Sequence, residues 1–141
     1  MRGLYEQEIK LGLDDPRSYA EFAFWVERIK ADVVDFVKDQ VNQGKTVYVY
    51  GASTKGNTVL QYFGLDHTLV TAAAERNPDK WGKVTVGTRI PIISEAEART
   101  AKPGYFLVLP WHFIGEFQAR EKEYLLAGGR FILPMPHFSL I

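Results

Sequence analysis

The first third of the chain carries apolar residues at helical spacing. These positions are Phe22, Trp25, Val26, Ile29, Val33, Phe36 and Val37. Because residues three or four apart share one face of a helix, the spacing predicts a single apolar face that packs on a sheet. Ser18 and Glu21 form an S-x-x-E capping box ahead of it, and Gly44 follows it. We therefore predict a long helix over residues 18–43, preceded by a linker or lead-in segment at 1–16.

The rest of the chain alternates short apolar runs with helical patterns. The runs are TVYVY (46–50), LVTAAA (69–74), IPII (90–93), YFLVL (105–109) and RFILP (130–134). The helical patterns cover about 57–63, 94–103 and 115–127, and the second starts at a capping box of Ser94 and Glu97. Nearly continuous apolar strands separated by helices are typical of a parallel sheet covered on both faces. We predict one α/β domain over 17–141, a Rossmann-like, doubly wound, mostly parallel sheet with helices on both faces.

The turn after the first predicted strand resembles a dinucleotide-binding fingerprint. Gly51 and Gly56 match the first and third glycines of G-x-G-x-x-G, whereas Ser53 replaces the middle one. A helix N-terminus favours anions, and Ser53 and Lys55 add a hydroxyl and a positive charge, so the turn is a candidate phosphate site. The alternative is a plain strand-to-helix turn, with Ser53 as N-cap and Lys55 in solvent. A P-loop is not predicted, because Asn57 stands where that motif needs lysine.

A second polar cluster follows the second predicted strand. In the fingerprint, an acidic residue follows the turn by roughly 20 residues. Glu75 lies at about this distance, so it is a candidate acceptor for ribose hydroxyls. The alternative is a solvated loop acid or a partner for Arg76 or Lys80. Trp81 is expected either to stack on a base or to cover the sheet edge.

Trp111 and His112 follow the strand YFLVL directly, so we place them at the ligand-binding rim. His112 is predicted either to donate to a phosphate or base, or to cap the next helix. His67 and His137 have no partner at metal-ligand spacing, and no Ser-His-Asp order or catalytic carboxylate pair stands out. We therefore assign neither a catalytic residue nor a metal site.

Composition narrows the function classes. The formal net charge is zero, which gives no indication of a nucleic acid or anionic membrane as partner. The chain has no cysteine, hence no disulfide or cysteine-ligated zinc, and no apolar run approaches the roughly 20 residues that span a bilayer. A soluble protein of the cytoplasm is expected.

Five blocks of the sequence, in order and spacing, resemble a known family. The blocks are YGASTKGNT, AAERNPDKWGK, GTRIPIIS, YFLVLPWHF and GGRFILPMP, within residues 15–138. They resemble the C-terminal domain of S-adenosylmethionine (SAM)-dependent sugar C-methyltransferases. The resemblance implies an enzyme of three parts: an N-terminal zinc-binding domain, a central methyltransferase domain and this Rossmann-like domain. It also implies a nucleotide-linked keto sugar as substrate, typically linked to thymidine diphosphate (TDP), whose nucleotide the C-terminal domain helps to hold.

The resemblance supports ten residues as nucleotide- or phosphate-binding. They are Gly51, Ser53, Lys55, Gly56 and Asn57 in the turn, Glu75, Asn77 and Lys80 in the second cluster, and Trp111 and His112 at the rim. No SAM-binding glycine motif or cysteine cluster occurs here, so SAM and zinc are expected in upstream domains of the same polypeptide and the chain is expected to be a fragment without methyl transfer of its own. Two alternatives stay open: an independent domain binding NAD or coenzyme A, and a structural or dimerisation module without ligand.

Overall fold

The computed structural model describes residues 2–12 and 15–141. Six α-helices in these residues are α1 (Arg2–Lys10), α2 (Pro16–Asn42), α3 (Thr54–Phe63), α4 (Glu95–Ala101), α5 (Ile114–Arg120) and α6 (Lys122–Leu126). Six strands are β1 (Val47–Tyr50), β2 (Ala73–Glu75), β3 (Ile92–Ser94), β4 (Tyr105–Val108), β5 (Arg130–Leu133) and β6 (Ser139–Leu140). Two 3₁₀ turns lie at Pro78–Lys80 and Trp111–Phe113.

The strands form one sheet in the order β3-β2-β1-β4-β5-β6. The first five strands are parallel, and only β6 pairs antiparallel, with Ile132 opposite Leu140. The chain order reverses at β1, whose neighbours β2 and β4 belong to opposite halves of the sheet. The predicted Rossmann-like α/β class is confirmed, and the carboxyl ends of β1, β2 and β4 define the edge where such sheets bind ligands.

Alternate residues of each strand face opposite sides of the sheet and build two apolar cores. Val47 and Val49 point to one side, where the second half of α2 packs together with residues of α3. Tyr48 and Tyr50 point to the other side, into a cluster with residues of α4, α5 and α6. Burial on both faces explains why the strands are apolar at nearly every position.

Helix α2 differs from its prediction at its beginning and in its first half. It begins at Pro16 with Asp15 as N-cap, whose side chain accepts from the Arg17 backbone N–H, so the predicted capping box at Ser18 is wrong. Proline suits the first helical position, and an N-cap aspartate directly before it overrides the later pattern. Phe22 is 58% exposed, so its predicted packing on the sheet is also wrong. The buried residues of α2 all lie in its second half, beginning at Ile29.

Several other element bounds differ from prediction. Helix α3 begins at Thr54 rather than near Asn57, because Ser53 caps it. The capping box at Ser94 is confirmed. The single helix predicted over 115–127 is two short helices that meet at Glu121, and β6 was not predicted. Within the predicted linker, Arg2–Lys10 is helical. None of the described helices is long and apolar enough to cross a membrane.

Candidate functional site

The turn after β1 uses its two glycines for backbone geometry. Gly51 has a φ of +87°, and a Cβ there would lie 2.9 Å from Cγ of Pro110. Gly56 packs α3 against the end of β4, since a Cβ there would lie 2.6 Å from Cβ of Leu109. The tight turn and the close helix approach are what the first and third fingerprint glycines provide. At both positions, the chain therefore shares the backbone geometry of the fingerprint as well as its glycine.

Ser53, at the middle fingerprint position, is the N-cap of α3. Its Oγ accepts from the Gly56 backbone N–H at 3.0 Å. Within the described residues, the backbone N–H groups of Thr54 and Lys55 find no acceptor. These two donors lie in the first turn of a ten-residue helix, where the helix dipole also favours negative charge. The turn thus presents two backbone N–H donors without an acceptor among the described residues, and the Lys55 side chain is exposed.

The second cluster holds the β1 turn in place. One carboxylate oxygen of Glu75 accepts from the Ala52 backbone N–H and the other from that of Asn77, each at 3.0 Å. Lys80 Nζ donates to the Ala52 carbonyl at 2.9 Å and lies 3.7 Å from the Glu75 carboxylate. Glu75 therefore pairs with Lys80, one of the alternatives left open by the sequence, and both side chains fix the backbone between Gly51 and Ser53.

Asn77 and Trp81 complete the loop after β2. The Asn77 side chain accepts from the Asp79 backbone N–H and caps the 3₁₀ turn that follows. Trp81 Nε1 donates to the Glu75 carbonyl at 2.8 Å, which places the indole at the end of β2. These contacts are local and give the loop a defined shape.

A cleft of about 350 Å³ opens between the turn and helix α5. It is lined by Tyr50, Gly51, Ala52 and Ser53 from β1 and its turn, Glu75, Arg76 and Lys80 from the second cluster, Glu95 from α4, and Pro110, Phe113, Glu116, Phe117 and Arg120 from the β4–α5 side. Four of the ten predicted site residues, Gly51, Ser53, Glu75 and Lys80, line it together. The volume is within the range of small-molecule pockets.

Six predicted site residues lie outside the cleft lining in the described chain: Lys55, Gly56, Asn57, Asn77, Trp111 and His112. Trp111 packs on the core that faces α5, whereas His112 is exposed. The helix that follows has no side-chain cap, so His112 does not cap it. Asn57 Oδ1 is buried without a hydrogen-bond partner among the described residues.

The charges at the cleft are mostly paired. Arg120 contacts Glu95 at 2.9 Å and Glu116 at 3.4 Å, and Lys80 is near Glu75. Among the described residues, Arg76 forms no ion pair, although it lines the cleft. The sequence indicated Arg76 only as a partner for Glu75 and gave no indication of Arg120.

Behind the cleft lies a polar network, centred on the buried side chains of Tyr50 and Glu121, that the sequence did not predict. Tyr50 donates its hydroxyl hydrogen to Glu121 Oε1 at 2.9 Å and accepts from Arg120 Nε at 3.1 Å. Glu121, only 2% exposed, also accepts from Arg99 Nε at 2.9 Å. Arg99 in turn contacts Glu95 at 3.0 Å. The network ties β1 to α4 and α5 directly beneath the turn.

The network also sets the protonation of Tyr50. Burial raises the pKa of the Tyr50 phenol well above its usual range, and the hydrogen bond to Glu121 raises it further. The same hydrogen-bonded carboxylate raises the pKa of Arg99. Tyr50 therefore stays a neutral donor, and its role is to position the strand end.

A larger groove of about 1240 Å³ runs along α4 and α6. It shares only Arg76, Glu95 and Arg120 with the cleft and contains none of the predicted site residues. Because the fold places ligands at the carboxyl edge of β1, we centre the candidate site on the smaller cleft. Over residues 2–12 and 15–141, no group of three or more His, Asp or Glu side chains is placed to hold a metal ion.

Comparison with known proteins agrees with this architecture. Residues 1–136 match the family model described as the C-methyltransferase C-terminal domain. The chain is 41% identical to C-methyltransferase NovU of Streptomyces niveus over 135 residues, which cover 96% of this chain and 32% of that protein. It thus spans about a third of the length of this relative. The chain belongs to the C-methyltransferase C-terminal domain family, as its sequence blocks predicted.

Proposed function

We propose that this domain binds the diphosphate of a nucleotide-linked keto sugar and orients the sugar for methylation by a preceding part of the same polypeptide. The observation that supports this most strongly is the pair of unfilled N–H donors at Thr54 and Lys55, which lies beside the cleft-lining turn. A diphosphate accepts hydrogen bonds from such donors and is favoured by the helix dipole.

The surrounding side chains support the same ligand class. Lys80 is held over the turn by the Ala52 carbonyl, and Arg76 is without an ion pair at the cleft. Lys55 is exposed at the helix start, so it is able to swing towards a bound anion. Among the described residues around the turn, Arg76 without an ion pair and the exposed Lys55 are the two cations free to pair with a phosphate ligand, whereas Lys80 already lies near Glu75.

The domain's share of the reaction is binding energy and orientation. In the proposed enzyme, SAM supplies the methyl group from a site outside this chain. Holding the remote nucleotide fixes the keto sugar relative to the reacting centre, which lowers the barrier without a catalytic group in this domain. We accordingly assign no proton transfer to these residues, and we expect the chain alone to transfer no methyl group.

The proposal also includes a partner surface. Helix α2 has 27 residues and is about 40 Å long, whereas the four-residue strands beneath it span about 13 Å. Trp25 packs partly against the core, and the apolar face continues beyond it as Tyr19 and Phe22, which are 59% and 58% exposed. Because the family is a C-terminal domain and the relative is three times as long, we propose that the preceding methyltransferase part covers this face. Sedimentation of the chain should show a monomer, and a dimer broken by Phe22→Asp would assign the face to a second copy.

Calorimetric titration with TDP, NAD and coenzyme A tests the ligand class. We expect TDP to bind more tightly than either cofactor. Lys55→Ala should weaken TDP binding about tenfold to a hundredfold, by loss of a charge-assisted contact, while thermal stability stays nearly unchanged. Ser53→Leu should weaken it further by filling the phosphate space. Tighter binding of NAD or coenzyme A, or no effect of either substitution, would refute the proposal.

A further inference from the structure

One wall of the cleft is apolar and offers no contact to the proposed diphosphate. Pro110, Phe113 and Phe117 line the side opposite the second cluster. Phe117 is buried, but the Phe113 ring is 52% exposed. An exposed phenylalanine at the mouth of a ligand cleft is a surface that water covers poorly and that a planar ligand group covers well.

The position of Phe113 relative to the turn is fixed by the backbone. Pro110 packs against Gly51 so closely that a Cβ on that glycine would lie 2.9 Å from Pro110 Cγ. The Phe113 backbone N–H donates to the Pro110 carbonyl at 3.0 Å, which closes the 3₁₀ turn between them. The ring is thereby anchored to the same backbone junction that presents the donors of Thr54 and Lys55.

The ring is also backed by neighbouring aromatic groups. The His112 ring lies 4.8 Å from it, and the Phe117 ring 6.3 Å, both tilted. Arg120 lies 5.2 Å from the centre of the Phe117 ring and is held by Glu95 and Tyr50. The ring therefore has aromatic neighbours on the protein side, while about half of its surface faces solvent and is open to a stacking ligand.

We infer that Phe113 is the stacking platform for the nucleobase of a nucleoside diphosphate whose phosphates lie at the start of α3. The inference rests on the proposed function. It assigns the base to the apolar wall of the cleft of about 350 Å³ and the phosphates to the start of α3, which follows the cleft-lining Ser53. Trp111 and His112, which the sequence placed at the rim, then act only by supporting this segment.

Stacking makes the wall tolerant of the base, because every nucleobase has an aromatic face. TDP and ADP should therefore both bind more tightly than inorganic pyrophosphate. Selection between bases would have to come from groups at the base edge, for which Glu116, beside Phe117 in the chain, is the charged cleft residue with an exposed side chain on that wall.

The test is Phe113→Ala, titrated calorimetrically with TDP and with pyrophosphate. We expect TDP binding to weaken about 5- to 150-fold, the loss typical of one base–aromatic stack. Pyrophosphate affinity should change less than about twofold, and Phe113→Tyr should keep TDP affinity. Phe24→Ala removes a phenylalanine from helix α2 that is 71% exposed, more than Phe113, and serves as the control that should leave the affinity for both ligands unchanged.

Proton NMR of TDP gives an independent readout. A base stacked on Phe113 should show upfield shifts of its ring protons in the presence of the wild-type chain, and these shifts should be lost with Phe113→Ala. Suppose that pyrophosphate binds to the wild type. If Phe113→Ala then weakens the binding of TDP and of pyrophosphate equally, or weakens neither, the stacking role is refuted and the phosphate site stands. If pyrophosphate and TDP both fail to bind the wild type, the proposed function itself is refuted.

Discussion

Gly51→Ala probes the junction between the turn and the cleft wall. Two separate effects are expected from this single methyl group. The backbone φ of +87° is unfavourable for alanine, and the new Cβ would lie 2.9 Å from Cγ and 3.1 Å from Cδ of Pro110. Gly82 offers a matched control, because its φ is +80° and a Cβ there would meet nothing within 4 Å.

The magnitudes follow from these distances. A left-handed conformation costs a residue with a side chain about 1–2 kcal/mol, and this applies to both glycines. Overpacking against Pro110 adds about 1–3 kcal/mol at Gly51 alone, since the proline ring is part of the backbone and moves only with it. We therefore expect Gly82→Ala to lower the free energy of unfolding by about 1–2 kcal/mol and Gly51→Ala by about 2–5 kcal/mol. Gains from a stiffer unfolded chain are common to both and cancel in the difference.

Urea denaturation of both variants measures the difference, and a double-mutant cycle with Pro110→Ala assigns it. Removing Cγ and Cδ of Pro110 should relieve the clash and give a coupling energy of about 1–3 kcal/mol. Gly51→Ala should also weaken TDP binding, because relief of the clash moves the Pro110–Phe113 segment away from the turn. If Gly51→Ala costs no more than Gly82→Ala, or if the coupling is zero, the reasoning about this junction is wrong.

Two further predictions concern stability. Ile29→Ala should lower the free energy of unfolding by about 2–5 kcal/mol, because Ile29 is buried on the sheet. Phe22→Ala should change it by less than about 0.5 kcal/mol, because Phe22 is exposed. Equal losses for the two variants in urea denaturation would contradict the exposed position of Phe22. Burial raises the pKa of the Tyr50 and Tyr124 phenols above their usual value near 10. The folded state therefore keeps its phenol protons at pH values where the unfolded state releases them. The contribution of the two phenols to the free energy of unfolding should be complete below about pH 10 and should fall above it, by up to about 1.4 kcal/mol per pH unit for each phenol. Urea midpoints that stay constant to about pH 11, with all tyrosines titrating together by absorbance, would refute this.

The strands and their order of appearance were predictable because their signals are local. Buried parallel strands are apolar at nearly every position, and capping residues such as Ser94 act within four residues of themselves. The predicted start of α2 was wrong, because Asp15 and Pro16 form a stronger helix start than Ser18. Strand β6 is two residues long, too short for any alternation to reveal it.

The sequence predicted which loops come together at this edge of the sheet, but not which side chains line the cleft there. The rule that ligands bind at the carboxyl ends of strands placed Gly51, Ser53, Glu75 and Lys80 together, and the structure agrees. Which ring of Trp111, His112 and Phe113 enters the cleft depends on the rotation of a 3₁₀ turn, which no periodicity reveals. From the sequence alone, Glu121 looks like a solvent-facing residue of a helix. In the structure it accepts a hydrogen bond from the hydroxyl of Tyr50, 71 positions away in the sequence. Such long-range pairing leaves no local signal.

The central claim is that the backbone donors at the start of α3 bind a diphosphate. The most direct measurement is an amide NMR titration of the chain with TDP. We predict that the N–H signals of Thr54 and Lys55 shift most, saturate with the calorimetric affinity, and respond to pyrophosphate in the same way. If TDP binds with saturation while these two amides stay unchanged and signals elsewhere move, the turn after β1 is only a structural turn.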